Sequence, residues 1–285
     1  MKLLNGRKYL IQGVLIVVIV ILISLIIIQQ VTFQVPVFAL HGIIDREQPK
    51  KWPSRANYLD YTIQDLETFL EKLIQDNYWF LSSQELYDYF IIKSQPIPSE
   101  KQNNKPILLT FDDGYKSLNV YLIPLLEKLE KKHNVSLKVV LFINPKFMEE
   151  SESRGKVKYL NCDDLREGIN QGFYDIQSHG LTHRTLKGLD NKVLTTELIE
   201  SQKILQNCTA DLPQNDTIAI HFAYPYNQLD EQVETETAKY YLSGYGYNSK
   251  LRNFLFMPNK MRIPRIGVSH DDSPETLFKL AKFVN

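Results

Sequence analysis

The run Ile107-Leu108-Leu109-Thr110-Phe111-Asp112-Asp113-Gly114-Tyr115 is a short apolar strand that stops on two adjacent carboxylates and a glycine. Comparable apolar runs occur at Val35 to Leu40, Leu137 to Ile143, Phe173 to Gln177, Ile218 to Ala223 and Arg262 to Val268. Between them, apolar spacing predicts helices at Ile63 to Asn77 with Thr62 as cap, Ser83 to Ile92, Ile123 to His133 with Pro124 in a tolerated first turn, and Asp164 to Gln171 ending on Gly172. Lys192 to Gln206, Asp230 to Tyr241 and Pro274 to Phe283 read as helices too. Strands alternating with helices over about 250 residues predict an α/β domain with a mainly parallel sheet, either open or closed into a barrel. Both arrangements place their sites where strands end. The polar signatures of this chain cluster at those ends.

Asp112 and Asp113 repel each other, so a fold that holds both at one strand end usually supplies a cation nearby. A helix cap or turn is the alternative reading of Asp-Asp-Gly taken alone. In Gln177-Ser178-His179-Gly180-Leu181-Thr182-His183 two histidines stand four apart, just after a strand. That spacing lets two imidazoles converge on one ion, and a carboxylate would complete the three-ligand, open-position set of a hydrolytic metal site. A chance pair of surface histidines is the competing reading. Two further signatures are weaker alone: Phe222-Ala223-Tyr224-Pro225-Tyr226-Asn227, a strand stopped by proline, and Val35-Pro36-Val37-Phe38-Ala39-Leu40-His41-Gly42 near the start. Their joint occurrence in one α/β chain points to a single site.

The 285 residues carry 33 lysines and arginines against 33 aspartates and glutamates, so no global basic footprint for nucleic acid exists. The balance is uneven: Lys2, Arg7 and Lys8 precede residue 34 with no acid, leaving 30 basic and 33 acidic residues beyond it. From Val14 to Ile28 only Ser24 interrupts an apolar run, and extension back to Tyr9 gives a span about 20 residues long, enough to cross a bilayer. The run exceeds the ~7 to 15 residues of a cleaved signal peptide's apolar region, and no small-x-small site follows in Gln29-Gln30-Val31-Thr32-Phe33. Residues 1–34 therefore read as a cytoplasmic tip and an uncleaved transmembrane signal anchor, with the span at about 9–28. The basic flank keeps the N-terminus inside and exports residues 35–285 as one domain. Cys162 and Cys208 suit that oxidising side, where they either pair or stay buried and unpaired. Lys93 to Lys105 reads as a surface loop within the domain.

Taken together, the motifs resemble the polysaccharide deacetylases of carbohydrate esterase family 4. Thr110-Phe111-Asp112-Asp113-Gly114 is similar to that family's first motif, Ser178-His179-Gly180-Leu181-Thr182-His183 to its second and Tyr224-Pro225-Tyr226-Asn227 to its third. A histidine upstream of the Asp-Asp pair further resembles the exported branch that deacetylates poly-β-1,6-N-acetyl-D-glucosamine, the biofilm exopolysaccharide, in which the motif order looks circularly permuted. The resemblance implies a distorted (β/α)7-type, NodB-like barrel over residues 35–285 and metal-dependent amide hydrolysis. It implies Asp113, His179 and His183 as ligands of a divalent ion, Zn2+ by default with other first-row ions possible. It also implies Asp112 as general base, His41 as general acid and the Tyr226 backbone N–H as oxyanion donor.

The chain departs from the family pattern at Leu40, where tyrosine is usual, and at Asn227, where glycine is usual, although asparagine tolerates a left-handed backbone. The arginine expected before Pro-Tyr is missing. Arg265 either replaces it by pairing with Asp112 or serves structure alone. Of the other histidines, His133 fits a helix C-terminus, His221 fits packing, and His270 is the second candidate for proton donor. The expected function is removal of N-acetyl groups from an extracellular N-acetylglucosamine polysaccharide, with the membrane as the other partner and no protein partner named. A peptidoglycan or chitin-type deacetylase and a non-catalytic carbohydrate-binding module on the same fold are the alternatives.

Overall fold

The computed structural model describes residues 35–48, 57–149, 158–213, 215–247 and 259–284, with positions 12, 14, 16–18 and 20 before them. Ten strands follow in chain order: β1 Val37–Leu40, β2 Ile43–Ile44, β3 Tyr61–Thr62, β4 Tyr78–Phe80, β5 Lys105–Asp113, β6 Val139–Ile143, β7 Tyr174–Ser178, β8 His221–Ala223, β9 Ser243–Tyr247 and β10 Ile263–Gly267. Strand β5 is buried at every position but its first. It pairs with β1 in register from Val37↔Leu108 to Leu40↔Phe111, and with β6 from Thr110↔Val140 to Asp113↔Ile143. The ladder continues through β7, β8, β9 and β10 and returns to β1 by Phe38↔Ile266 and Ala39↔Gly267. Every pairing is parallel, so seven strands close into a barrel. Strand β4 adds to the start of β5 outside the ring, and β2 and β3 form a separate two-stranded ribbon.

Parallel neighbours need crossovers, which the helices supply. Thr62 caps Ile63–Gln75 by accepting from the Asp65 N–H, and Leu66, Phe69, Leu70 and Leu73 form its buried stripe. Pro124 sits in the first turn of Ile123–His133, which ends on Asn134 at φ 54°. Asn161 and Asp164 form a capping box on Cys162–Asn170, and Asp190 caps Asn191–Cys208. Strand alternation separates two cores. Phe38, Leu40, Leu109, Phe111, Leu141 and Ile143 face the helices, whereas Val37, Leu108, Val140, Phe142 and Tyr245 fill the barrel, with Trp79, Leu81 and Leu86 packed on them.

The short strands β2, β3 and β4 are not among the expected apolar runs, and two longer elements also differ from expectation. Strand β9, Ser243-Gly244-Tyr245-Gly246-Tyr247, carries no apolar run, because a Cβ on Gly244 would meet the Tyr224 hydroxyl at 2.5 Å. Its glycines answer to neighbours rather than to burial. The helix expected at Ser83 to Ile92 is one α-turn, Ser83–Glu85, followed by a π-helical stretch at Leu86–Ile91. That wider turn brings Tyr89 and Phe90 to 5.8 and 6.2 Å from the Trp79 ring. The expected membrane span falls mostly outside the described residues. Positions Gln12, Val14, Ile16, Val17, Val18 and Val20 within it are helical and exposed, and among the described residues no helix is long and apolar enough to cross a membrane.

Cys162 and Cys208 form a disulfide with their Cα atoms 5.3 Å apart. The bond joins the start of Cys162–Asn170 to the end of Asn191–Cys208 across a sequence separation of 46. Closing a loop of this size restricts the unfolded chain by about 4 kcal/mol on the entropic account. Replacing both cysteines by serine is expected to lower the unfolding free energy measured in urea by an amount of that order, and the midpoint with it. Equal midpoints for the oxidised protein and the double variant would show that the bond is not what holds these helices.

Candidate active site

Because all seven barrel strands run the same way, their C-terminal ends meet at one mouth. Asp112 and Asp113 end β5, Ser178 ends β7 one residue before His179, Tyr247 ends β9, and Pro225-Tyr226-Asn227 follows β8 after Tyr224. His41 follows Leu40, whose strand partner Phe111 precedes Asp112. Backbone conformation re-aims these ends: Asp113 and Gly114 have φ of 72° and 74°, His183 of 56°, and Tyr226 and Asn227 of 57° and 56°. Five left-handed residues at one mouth, four of them with side chains, are strain of the kind that persists where the surroundings over-determine it.

Asp113, His179 and His183 each present one ligand atom, all within 4.8 Å of one another. The second nitrogen of each ring is occupied. His179 Nδ1 donates to the Ala223 carbonyl at 2.8 Å, and His183 Nδ1 lies 3.0 Å from the Tyr226 hydroxyl. Both Nε2 atoms therefore face the carboxylate, at 3.7 Å for His179 and 3.1 Å for His183. Burial, working against Asp112, holds the His179 ring down at about 4, so at neutral pH its Nε2 carries a lone pair. Asp113 Oδ1 is buried and has no hydrogen-bond partner, while Oδ2 accepts from the Tyr115 hydroxyl at 2.7 Å. A ring lone pair facing an unsatisfied carboxylate oxygen is repulsive in a protein alone and favourable around a cation, so these residues fit a divalent metal. Burial opposes ionisation of Asp113, yet His183, His41 and His179 hold its carboxyl far below the ordinary range.

Asp112 faces other partners. Arg265 donates from Nη1 to Oδ1 at 2.6 Å and from Nη2 to Oδ2 at 2.9 Å, a bidentate fork, and Nη1 also reaches Thr110 Oγ1 at 3.1 Å. The guanidinium lies 4.7 Å from the Tyr247 ring centre and 5.3 Å from that of Phe142, and both ions are 1 % exposed. The Tyr247 hydroxyl donates to Asp112 Oδ2 at 3.0 Å. Burial and the Asp112 charge raise the Tyr247 phenol well above its usual range, so it remains a donor. Burial pushes Asp112 up, but Arg265, then His179 and His41, hold it down at about 2. His41 acts on both carboxylates, and its Nδ1 is buried without a hydrogen-bond partner. His270 is exposed, with Nδ1 3.0 Å from the Tyr58 carbonyl and Nε2 3.1 Å from Asp271. His221 lies inside the barrel between Ser243 Oγ and Gln84 Oε1, at 2.7 and 3.2 Å, and His133 contacts Glu71 at 3.1 Å at a helix end.

Sequence reasoning missed several supports of this site. Asn144 donates its amide to the carbonyls of His179 and Gly180. As the first polar residue after the apolar run of β6, it carried the same strand-end signal as Asp112. Glu197 accepts from the Thr182 N–H at 2.9 Å and from its hydroxyl at 2.7 Å, pinning the loop between the two histidines. Tyr247 lay in a stretch with no strand signal at all.

The chain belongs to the polysaccharide deacetylase family, whose profile matches residues 99–245. His41, just past the first barrel strand, and Arg265, on the last, lie outside that match. The chain is 26% identical over 197 residues to YxkH of Bacillus subtilis (strain 168), named as a polysaccharide deacetylase, across 67% of this chain and 62% of YxkH. It thus aligns with less than two thirds of that relative's length. The crystal structure of BC0361, a polysaccharide deacetylase from Bacillus cereus, superposes with a TM-score of 0.68 at 22% identity, covering 87% of this chain and 69% of that one. IcaB from Ammonifex degensii superposes with a TM-score of 0.66 at 16% identity over 87% and 97% of the two chains. At these identities the two structures share the fold.

Arg265→Met would strand Asp112 as a buried charge, and a broken buried pair costs about 3 to 5 kcal/mol. Because Arg265 depresses the Asp112 carboxyl, the pair contributes fully above about pH 4 and fades as pH falls towards about 2. Urea denaturation at pH 7 is expected to show that loss in Arg265→Met and its partial recovery in Arg265→Met with Asp112→Asn. Unchanged stability in the single variant would contradict the pairing.

Proposed function

We propose that this protein is a metal-dependent hydrolase that removes N-acetyl groups from an extracellular N-acetylglucosamine polymer, the β-1,6-linked kind. The observation that carries this reading is the division of labour between neighbouring carboxylates: Asp113 faces two imidazole nitrogens, while Asp112 is held ionised by Arg265. Two nitrogens and one carboxylate oxygen suit Zn2+ and leave room for water and substrate. When bound, such an ion polarises the acetamide carbonyl and acidifies water, which a base as weak as Asp112 requires.

Asp112 stands beside the ligand cluster, its Oδ2 3.9 Å from His179 Nε2, and its carboxylate takes the proton of the attacking water. Water oxygen bonds to the acetyl carbon, the C–N bond breaks, and His41 delivers a proton to the departing amine, giving acetate and a free amino sugar. The Tyr226 N–H, in its left-handed turn, donates to the oxyanion, a contribution of about 3 kcal/mol for such donors. Tyr226 is 53 % exposed, which keeps this turn open to a polymer.

The β-1,6 assignment rests on the early histidine, His41, and its resemblance to the exported branch. Export rests on the apolar run at about 9–28 behind a basic tip, and the paired cysteines support it, since disulfides persist outside reducing compartments. In this reading residues 1–34 anchor the domain of residues 35–285 to the membrane.

The test uses the full chain, loaded with zinc and offered β-1,6 and β-1,4 N-acetylglucosamine oligomers, with released acetate measured. Acetate is expected chiefly from the β-1,6 oligomer. Release only from the β-1,4 oligomer would move the substrate to the chitin or peptidoglycan kind, and none from either with metal bound would leave a sugar-binding module. Asp113→Ala is expected to abolish both zinc retention and turnover; turnover without zinc would overturn the ligand set. His41→Ala should cost turnover by about 10²-fold or more, and a larger loss in His270→Ala would reassign the proton donor.

A further inference from the structure

Two residues with no part in the chemistry above connect the Tyr226 turn to the carboxylate of Asp112. Tyr247 ends β9 with its hydroxyl on Asp112 Oδ2 at 3.0 Å. Its backbone is gripped on both sides by one side chain: the Tyr247 N–H donates to Asn227 Oδ1 at 2.8 Å, and Asn227 Nδ2 donates to the Tyr247 carbonyl at 3.0 Å. The ladder between β8 and β9 pairs His221↔Ser243, Phe222↔Gly244 and Ala223↔Tyr245 and stops there. Asn227 thus extends the pairing by two residues through a side chain. Gly246 makes the space for it, since a Cβ there would meet Asn227 Oδ1 at 2.7 Å. The φ of 56° at Asn227 is one that glycine adopts freely and that asparagine tolerates. Glycine would permit the same turn and supply neither hydrogen bond.

We propose that Tyr247 is a positioning residue for Asp112, and that Asn227 sets its place, so that the base and the Tyr226 turn move as one body. The inference rests on the reading of Asp112 as base. Arg265 grips both carboxylate oxygens and fixes the plane of the group. Tyr247 adds a donor to Oδ2 alone, the oxygen 3.9 Å from His179 Nε2. Oδ2 thus accepts from both Arg265 Nη2 and the Tyr247 hydroxyl, and this second, independent donor holds the carboxylate against sliding along the guanidinium. A carboxylate free to shift by about 1 Å loses up to about 10²-fold in rate.

A double-variant cycle on the zinc-loaded full chain tests this. Tyr247→Phe keeps the ring beside Arg265 and removes the hydroxyl; Asn227→Gly keeps the turn and removes the clamp. Each is expected to lower kcat about tenfold with KM within about twofold and zinc content unchanged, and the double variant should be no slower than the slower single. Unchanged kcat in Tyr247→Phe, or losses that multiply in the double variant, would overturn the proposal. Amide hydrogen exchange, measured on the same samples, decides the coupling without turnover. Asn227→Gly should speed exchange in the peptides containing Tyr247 and Asp112 together, and an effect confined to the Asn227 turn would refute it. A wild type that releases no acetate would fail the functional reading alone, because the exchange result stands apart from it.

Discussion

The placement of β1 between β5 and β10 is the constraint on which the rest depends. A parallel sheet left open has two edges and a site confined to a crevice, whereas this one is closed by a four-residue strand hydrogen-bonded on both sides. Closure makes the ends of distant strands neighbours. It sets His41 beside Asp112, and it brings Arg265 on β10 across the mouth to the same carboxylate. Without β1 the two ends of the sheet would separate, and Asp112 would lose its cation.

Closure also explains how adjacent carboxylates take opposite environments. Thr110 and Asp112 share the barrel face, and both meet Arg265 there. Asp113, next in line, turns out of the strand through two left-handed residues and meets the histidines instead. The repulsion expected between the pair is relieved on both sides, by a buried guanidinium for one and an ion-ready imidazole pair for the other. A single strand end therefore holds two charges that would not coexist on one face.

The alternation of apolar runs and capped helices was readable because each is local: a few residues of strand, a Thr62 or an Asp190 at a helix start. The same holds within each motif of the candidate site, for adjacent Asp112 and Asp113 in one and for His179 and His183, four apart, in another. The rest of the site is not local. Tyr247 and Arg265 reach Asp112 from 135 and 153 residues away, and no spacing rule encodes such an approach. Sequence left Arg265 between two roles for that reason. Strand β9 was invisible because its small residues are dictated by Tyr224 and Asn227 pressing on it, a demand that exists only after folding. The pairing of Cys162 with Cys208 was likewise open until two helix ends met.

That bond encloses more than two helices. The segment between the cysteines contains β7, His179 and His183, so both histidines of the Asp113 cluster ride on a covalent ring. In an unfolded but oxidised chain the ring limits how far the histidine pair can stray from either cysteine. Part of the entropy of bringing that pair to the barrel mouth is thus removed from the unfolded chain by a bond that touches neither ring.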